Sequence, residues 1–407
     1  MNVTGIIAEY NPLHAGHRHH LAQARRETDA DYLVVVMSGD YVQRGEPAVA
    51  GKHVRARMAL LSGADLVLEL PFPYAFAAAG EFAASGAEVL HRLGVVTALS
   101  FGSESGDIRA LKRAADLLAQ EPEAYRLALR DGLAEGLTFP AARQRALEAS
   151  GEANGGTSLL ASPNNILGAE YIRALNQLDS PILPHTIPRS GEGYHSGAVR
   201  EGAFASATAI RQLLKNGDPA ALAGQIPEEC LPLLAQEPLL FPEDFSQILN
   251  YAILSRLPQG YGCIQGFSRE LSDRLADLAA AGGSWQERVL QLKTKNYTYT
   301  RVSRALLCLV LDICREDVLS WKENCGFAPC ARILGFKRTA APLLSAIKKR
   351  GDIPLISKAA DAGSQLSPQA AHLFRRGMLA SQIRSSVLAG KYNLAPANEY
   401  RRQIQIL

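Results

Sequence analysis

The segment Glu9-Tyr10-Asn11-Pro12-Leu13-His14-Ala15-Gly16-His17 concentrates the side chains best suited to chemistry. His14 and His17 stand three apart, so on a helix both face one point. Pro12 discourages regular structure at Asn11, and Gly16 lets a ligand approach the backbone where a helix would begin. The first turn of such a helix offers unpaired N–H groups and a partial positive charge, a ready site for phosphate. Two imidazoles there could donate hydrogen bonds to phosphate oxygens as negative charge builds in phosphoryl transfer, which requires positioning and no covalent intermediate. The competing readings are a metal site built from His14, His17, His19 and His20, or a polar helix face. For His19 the solvated face is favoured, and His20 is left open.

The elements that must position this segment follow from hydrophobic patterning. Val3–Glu9, Tyr32–Met37, Asp65–Leu70, Val95–Phe101 and Ile182–Pro188 are continuous apolar runs that read as buried strands. Helical periodicity near Gly16–Thr28, Lys52–Ser62, Phe76–Leu93 and Asp107–Gln120 separates them, as in a parallel α/β sheet. A largely helical excursion is expected over about 107–152, and Gly151–Thr157 has the composition of a loop. After Leu214 no strand pattern stands out, so residues 1–215 are expected to form the α/β unit and 216–407 an all-α one.

A strand, then Asn-Pro-x-His-x-Gly-His, then a helix resembles the His-x-Gly-His nucleotidylyltransferase superfamily, which is related to class I aminoacyl-tRNA synthetases. That superfamily's second signature, Ser-x-Thr-x-x-Arg, is matched by Ser206, Thr208 and Arg211. Two hydroxyls and a guanidinium at a helix start suit a triphosphate. Further stretches narrow the resemblance: Ser38–Ala48 (Ser-Gly-Asp-Tyr-Val-Gln-Arg-Gly-Glu-Pro-Ala), Gly63–Pro71, Ser100–Glu104 and Ser162–Gly168. With Glu9–Pro12 they look like the bacterial tRNA(Met) cytidine acetate ligase family over essentially the whole chain. Leu13 and Ala15 occupy variable places of the first motif.

The resemblance implies a Rossmann-like parallel sheet of the nucleotidylyltransferase type. It also implies activation of acetate by ATP to acetyl-adenylate, then acetyl transfer to N4 of the wobble cytidine of elongator tRNA(Met). On this chain it places ATP against Ile7, Ala8, Glu9, Tyr10, Asn11, Pro12, Leu13, His14, Ala15, Gly16, His17, Arg18, His19 and His20. Gly102, Asn164 or Asn165, Arg189, Ser206, Thr208 and Arg211 complete that set. His14 and His17 are the expected catalytic pair, and Mg²⁺ is expected to accompany ATP. Lys52 and Arg55, one turn apart, are either pyrophosphate or tRNA contacts or a solvated helix face. Asp40 either binds metal or caps a turn. Gly45-x5-Gly51-Lys52-His53 is not a P-loop, having one residue too many and no hydroxyl residue after the lysine.

Charge points to the second partner. The 407 residues carry 43 Lys/Arg and 40 Asp/Glu, but residues 331–407 hold 13 basic and three acidic side chains. Such asymmetry suggests nucleic-acid or membrane contact by the basic part. Lys337, Arg338, Lys348, Lys349 and Arg350 crowd one stretch. Lys293, Lys295, Tyr297, Tyr299 and Arg301 interleave cations with aromatics able to stack on an unpaired base. No apolar run reaches the roughly 20 residues of a membrane span, and the amino end lacks signal-peptide features. The spacing Cys308-x5-Cys314 and Cys325-x4-Cys330 does not suit zinc. Free thiols in a reducing cytoplasm are expected instead, with no protein metal site. The alternatives are a small-molecule adenylyltransferase acting on a pantetheine or nicotinamide phosphate, and a non-catalytic RNA-binding protein on a nucleotide fold.

Overall fold

The computed structural model describes residues 1–135, 137, 139–149, 159–189, 205–217 and 222–407. Among these described residues the strands are β1 Val3–Ala8, β2 Tyr32–Ser38, β3 Tyr41–Val42, β4 Glu46–Pro47, β5 Leu66–Leu70, β6 Ala98–Ser103, β7 Leu183–Pro188, β8 Ala331–Phe336, β9 Leu355–Ile356 and β10 Gln405–Ile406. The main sheet runs β10-β8-β5-β2-β1-β6-β7, with β9 beside β8, while β3 and β4 form a separate hairpin. β5, β2, β1, β6 and β7 are mutually parallel. Their apolar runs are continuous because helices cover both faces, so both side-chain sets of each strand are buried.

On one face Val3, Ile7, Val34, Val36 and Leu68 pack against Phe82, Ala83 and Leu90 of α3 (Ala79–Arg92) and against Tyr171 and Ile172 of α7 (Pro163–Gln177). On the other, Ile6, Leu33, Val35 and Met37 meet three helices. These are α1 (Ala15–Glu27), α2 (Lys52–Leu61) and α8 (Ala207–Asn216). The excursion is helical as expected, through α4 (Ile108–Gln120), α5 (Glu123–Ala134) and α6 (Phe139–Ala149). The loop expected at 151–157 lies outside the described residues.

One part of the sequence reading is corrected. The chain beyond residue 216 is mostly helical, but not wholly so: β8 returns to the sheet and pairs antiparallel with β5, with Glu69 opposite Arg332 and Leu66 opposite Phe336. Between residues 231 and 325 the helices surround a core of their own, including Phe245, Trp285, Val302, Leu306 and Trp321. Tyr41 and Phe76 from the α/β half are built into that core.

The two halves are also locked by a buried ionic cluster. Lys52 Nζ lies 2.8 Å from Glu69, 3.0 Å from Glu399, 3.4 Å from Asp40 and 2.9 Å from Ser381 Oγ. Arg332 bridges Glu69 (2.8 Å) and Glu399 (2.7 Å), and Arg384 stands 3.9 Å from Asp40. Burial and the neighbouring Arg332 pull the Lys52 ammonium down, yet Glu69, Asp40 and Glu399 outweigh them and its pKa is raised. Burial alone would raise Asp40 and Glu399, but Lys52 above all, with Arg384 for Asp40 and His53 and Arg332 for Glu399, holds both below the ordinary carboxylate range.

Lys52 is therefore withdrawn from solvent and does not sit on a solvated helix face, and Asp40 is an ion-pair partner that also accepts from the Lys52 N–H at the start of α2 (3.4 Å). Arg55, also fully buried, donates to the carbonyls of Glu9 (2.7 Å), Ser38 (3.0 Å), Ala50 (2.9 Å) and Gly39. It holds the end of β1 in place.

Candidate functional site

A cavity of about 400 Å³ opens at the carboxyl ends of the parallel strands, the general ligand position in open α/β sheets. His14 is the N-cap of α1 in extended conformation, and its backbone N–H donates to His17 Nδ1 at 3.3 Å. That bond makes Nδ1 an acceptor, so neutral His17 carries its proton on Nε2, where it can be donated. The two imidazoles stack with centroids 3.7 Å apart, and Tyr10 meets His17 edge-on at 4.8 Å. Burial, reinforced by Arg189 and Arg211, lowers His14 to about 3. Burial and His14 hold His17 well below its usual value, and burial with Arg189 brings His20 to about 4. All three rings are neutral donors at physiological pH.

The second motif arrives on α8. Ser206 is its N-cap and accepts from Ala209 N–H at 3.2 Å. Arg211 spans the gap to the first motif, donating to the Asn11 carbonyl (2.9 Å) and to Thr208 Oγ1 (3.2 Å). Thus Ser206, Thr208 and Arg211 stand over the start of α1, although some 190 residues of sequence separate them from His17. Arg189 follows β7, and its N–H bonds to the Ser103 carbonyl at 2.9 Å. It passes over Gly102, where an added Cβ would lie 3.2 Å from Arg189 Cγ.

Of the residues expected at the ATP site, Ile7, Ala8, Glu9, Tyr10, Asn11, His14, His17, His20, Gly102, Asn164, Arg189, Ser206, Thr208 and Arg211 line this cavity. Pro12, Leu13, Ala15, Gly16, Arg18, His19 and Asn165 do not. Leu13 is core, the Ala15 N–H donates to the Gln225 carbonyl, and Arg18 pairs with Glu229 at 3.2 Å on the surface. Between the two asparagines the structure separates the roles. Asn165 is buried and accepts from Ser105 N–H (3.1 Å), while Asn164 faces the cavity and donates to Glu104 (2.6 Å).

The sequence reading missed Gln43 and Arg44 on the β3–β4 hairpin, the apolar wall of Phe82, Phe101, Leu167 and Tyr171, and Thr300 and Arg304 from the helix Tyr299–Val310. Gln43 and Arg44 fall within the Ser38–Ala48 stretch and so had a signal. Thr300 and Arg304 had none. That helix docks through Gly45, whose φ of +77° and lack of Cβ let the Arg304 backbone sit directly against it, and whose carbonyl accepts from Ser303 Oγ at 2.9 Å.

The residues expected to meet RNA fall into two groups. Lys293, Lys295 and Arg301 are exposed and Tyr299 is half-buried, on or just before the helix that supplies Thr300 and Arg304. Tyr297, by contrast, is 6% exposed and its hydroxyl bonds to Ser268 (2.6 Å) and Glu270 (3.2 Å), so it is a core residue and no stacking platform. Lys337 and Arg338 follow β8 at the far end of the sheet, where Lys337 N–H bonds to the Asp65 carbonyl. Exposed Lys348, Lys349 and Arg350 close the helix Ala341–Arg350, beside Gly94 at the end of α3 remote from the cavity.

A HIGH Nucleotidyl Transferase family profile matches residues 1–401. The tRNA(Met) cytidine acetate ligase of Acetivibrio thermocellus is 37% identical over 371 residues, 89% of each chain. That of Caldanaerobacter subterraneus subsp. tengcongensis is 38% identical over 390 residues, 94% of each. This chain belongs to that family.

Crystal structures of Thermotoga maritima TmcAL superpose over the full length of both chains at 32% identity, with a TM-score of 0.90 for the apo form and 0.87 for the form bound to alpha-thio ATP. The Rossmann-like nucleotidyl transferase class is therefore that of this chain. The six cysteines are free thiols, with Cys230, Cys308 and Cys330 buried and Cys263 exposed. Among the described residues no cluster of three or more His, Cys, Asp or Glu could hold a metal, and no helix is long and apolar enough to cross a membrane.

Proposed function

We propose that this chain activates acetate with ATP and passes the acetyl group to N4 of the wobble cytidine of elongator tRNA(Met), in the cytoplasm. The observation that carries the reading is the convergence of the His14/His17 helix start and the Ser206/Thr208/Arg211 helix start on one cation-rich cavity, in a chain collinear with the ligases over about nine-tenths of its length. Adenine packs on the wall of Phe82, Phe101, Leu167 and Tyr171, with the Asn164 amide at its edge. The triphosphate lies over the starts of α1 and α8, where the Ser206 and Thr208 hydroxyls, Arg189 and Arg211 meet its charge.

Free acetate does not acylate an aromatic amine, so its oxygen must first become part of a better leaving group. A carboxylate oxygen attacks the α-phosphorus, the bond from that phosphorus to the α,β-bridging oxygen breaks, and pyrophosphate departs. His17 Nε2–H and His14 donate to the phosphoryl oxygens as charge moves onto them. Neutral rings suit that role, because they donate without competing for a proton at physiological pH. Among the described residues Glu9 is the one carboxylate on the cavity wall, and it already accepts from Gln43 N–H at 2.7 Å. Magnesium would accompany the nucleotide as part of that substrate, held chiefly by its phosphates.

The amine N4 then attacks the acetyl carbonyl and AMP leaves. The test is acetate-dependent ATP–pyrophosphate exchange, followed by incorporation of labelled acetate into tRNA(Met). Exchange that ignored acetate, or that required a phosphorylated metabolite, would overturn the assignment.

A further inference from the structure

Next to the nucleotide cavity lies a second one of about 290 Å³, and Arg304 lines both. The shared walls divide residue by residue. On α3, Phe82 faces the nucleotide cavity and Glu81 the second; on the helix Tyr299–Val310, Thr300 faces the first and Arg301 the second. The aromatic walls are Tyr74, whose hydroxyl is tied to the Gly326 carbonyl at 3.1 Å, and Phe76. Its polar groups are Glu81, Gln265, Arg301 and Arg304. Glu81 is half-buried at the start of α3 and forms no hydrogen bond or ion pair with the described residues.

This set is complementary to one nucleobase edge. Cytosine presents an amine donor at N4 and acceptors at N3 and O2, and a carboxylate is the usual acceptor for that amine. The geometry points to this cavity as the cytosine pocket, with Glu81 accepting from N4 and the guanidiniums of Arg301 and Arg304 donating toward N3 and O2. Uracil, with a carbonyl in place of the amine, would set an acceptor against Glu81. The assignment rests on the acetyl-transfer reading above and adds a catalytic residue to it. As N4 bonds to the acetyl carbon, the carbon–oxygen bond to AMP breaks and the amine proton passes to the Glu81 carboxylate. A wobble base is already unpaired in its loop, so seating it costs less than extruding a base from a duplex.

The experiment compares wild type with Glu81→Gln in two assays, acetate-dependent ATP–pyrophosphate exchange and acetyl transfer. The ratio of transfer to exchange is expected to fall by about 100-fold or more. A transcript with uridine at the wobble position, used as competitor, reads specificity. The amide can donate to the uracil carbonyl, so discrimination against this competitor should narrow about tenfold or more, which a merely structural role would not do. Transfer at the wild-type rate, or exchange and transfer falling together, overturns the pocket. Absence of acetate-dependent exchange in the wild type overturns the parent reading instead. If Glu81→Gln does not fold, Ala77→Phe, which fills the same cavity, decides: lost transfer with exchange retained supports the pocket, and wild-type transfer refutes it.

Discussion

Lys52→Met is expected to unfold the protein more easily without any direct effect on the nucleotide cavity. The buried cluster balances three cations, Lys52, Arg332 and Arg384, against three carboxylates, Asp40, Glu69 and Glu399. Methionine fills the volume but leaves one buried negative charge uncompensated, a change that costs about 3–5 kcal/mol. Urea unfolding at pH 7 measures it as a lowered midpoint. The pH dependence distinguishes this cause from lost packing. In the wild type Asp40 and Glu399 are held below their unfolded values, so their stabilisation is complete above about pH 4–5 and is lost as pH falls through the depressed folded values. Without Lys52, burial raises a carboxylate above its unfolded value, and the folded variant then takes up a proton the unfolded chain lacks. The variant therefore gains relative stability as pH falls from 7 toward 5, and the gap to wild type narrows. A variant within about 1 kcal/mol of wild type at pH 7, or a gap that widens on acidification, would refute the reasoning. Lost exchange with an unchanged urea midpoint would return Lys52 to the reaction site.

His17→Asn removes the Nε2–H donor, and exchange is expected to drop by about 10²–10³ with nucleotide binding much less affected, measured by exchange rates beside equilibrium binding. Because His14 titrates near 3 and His20 near 4, exchange should show no imidazole transition between pH 6 and 8; an inflection in that range absent from His17→Asn would contradict it. The same rings lower stability on the acid side: the unfolded chain takes up protons near 6.5 and the folded one does not, so stability falls as pH drops below that value. A chain ending at residue 330 should be recovered unfolded or aggregated, as judged by circular dichroism and gel filtration. It lacks β8 and leaves the β5 edge and Lys52 uncovered.

The parallel strands were legible to within a few residues because a sheet covered on both faces writes itself as unbroken apolar runs. The cavity was legible where its residues belong to motifs at strand ends or helix starts. β8 escaped because Ala-Arg-Ile-Leu-Gly-Phe carries an arginine and a glycine, and Arg332 is acceptable inside only because Glu69 and Glu399 meet it. Lys52 and Arg55 resembled a basic helix face for the same reason: their partners include backbone carbonyls and side chains more than 300 residues away. Tyr297 sat in a cation-rich stretch that looked like an RNA-stacking segment, but alternation with basic residues says nothing about which rings fold inward. Charge counting had a related limit, since Arg332 and Arg384 contribute to the basic excess of residues 331–407 yet are neutralised in the interior.

The position of β8 also bears on synthesis. Ribosomes release the chain amino end first, at about 5–20 residues per second. The motifs around His14 and Arg211 thus emerge well before Arg332 and Glu399 exist to seat Lys52, or β8 to cover β5. Over that interval of several seconds the nascent chain exposes an open strand edge and an unmatched internal ammonium. The β5 edge is therefore covered, and the Lys52 cluster completed, only once the carboxyl-terminal part of the chain has been made.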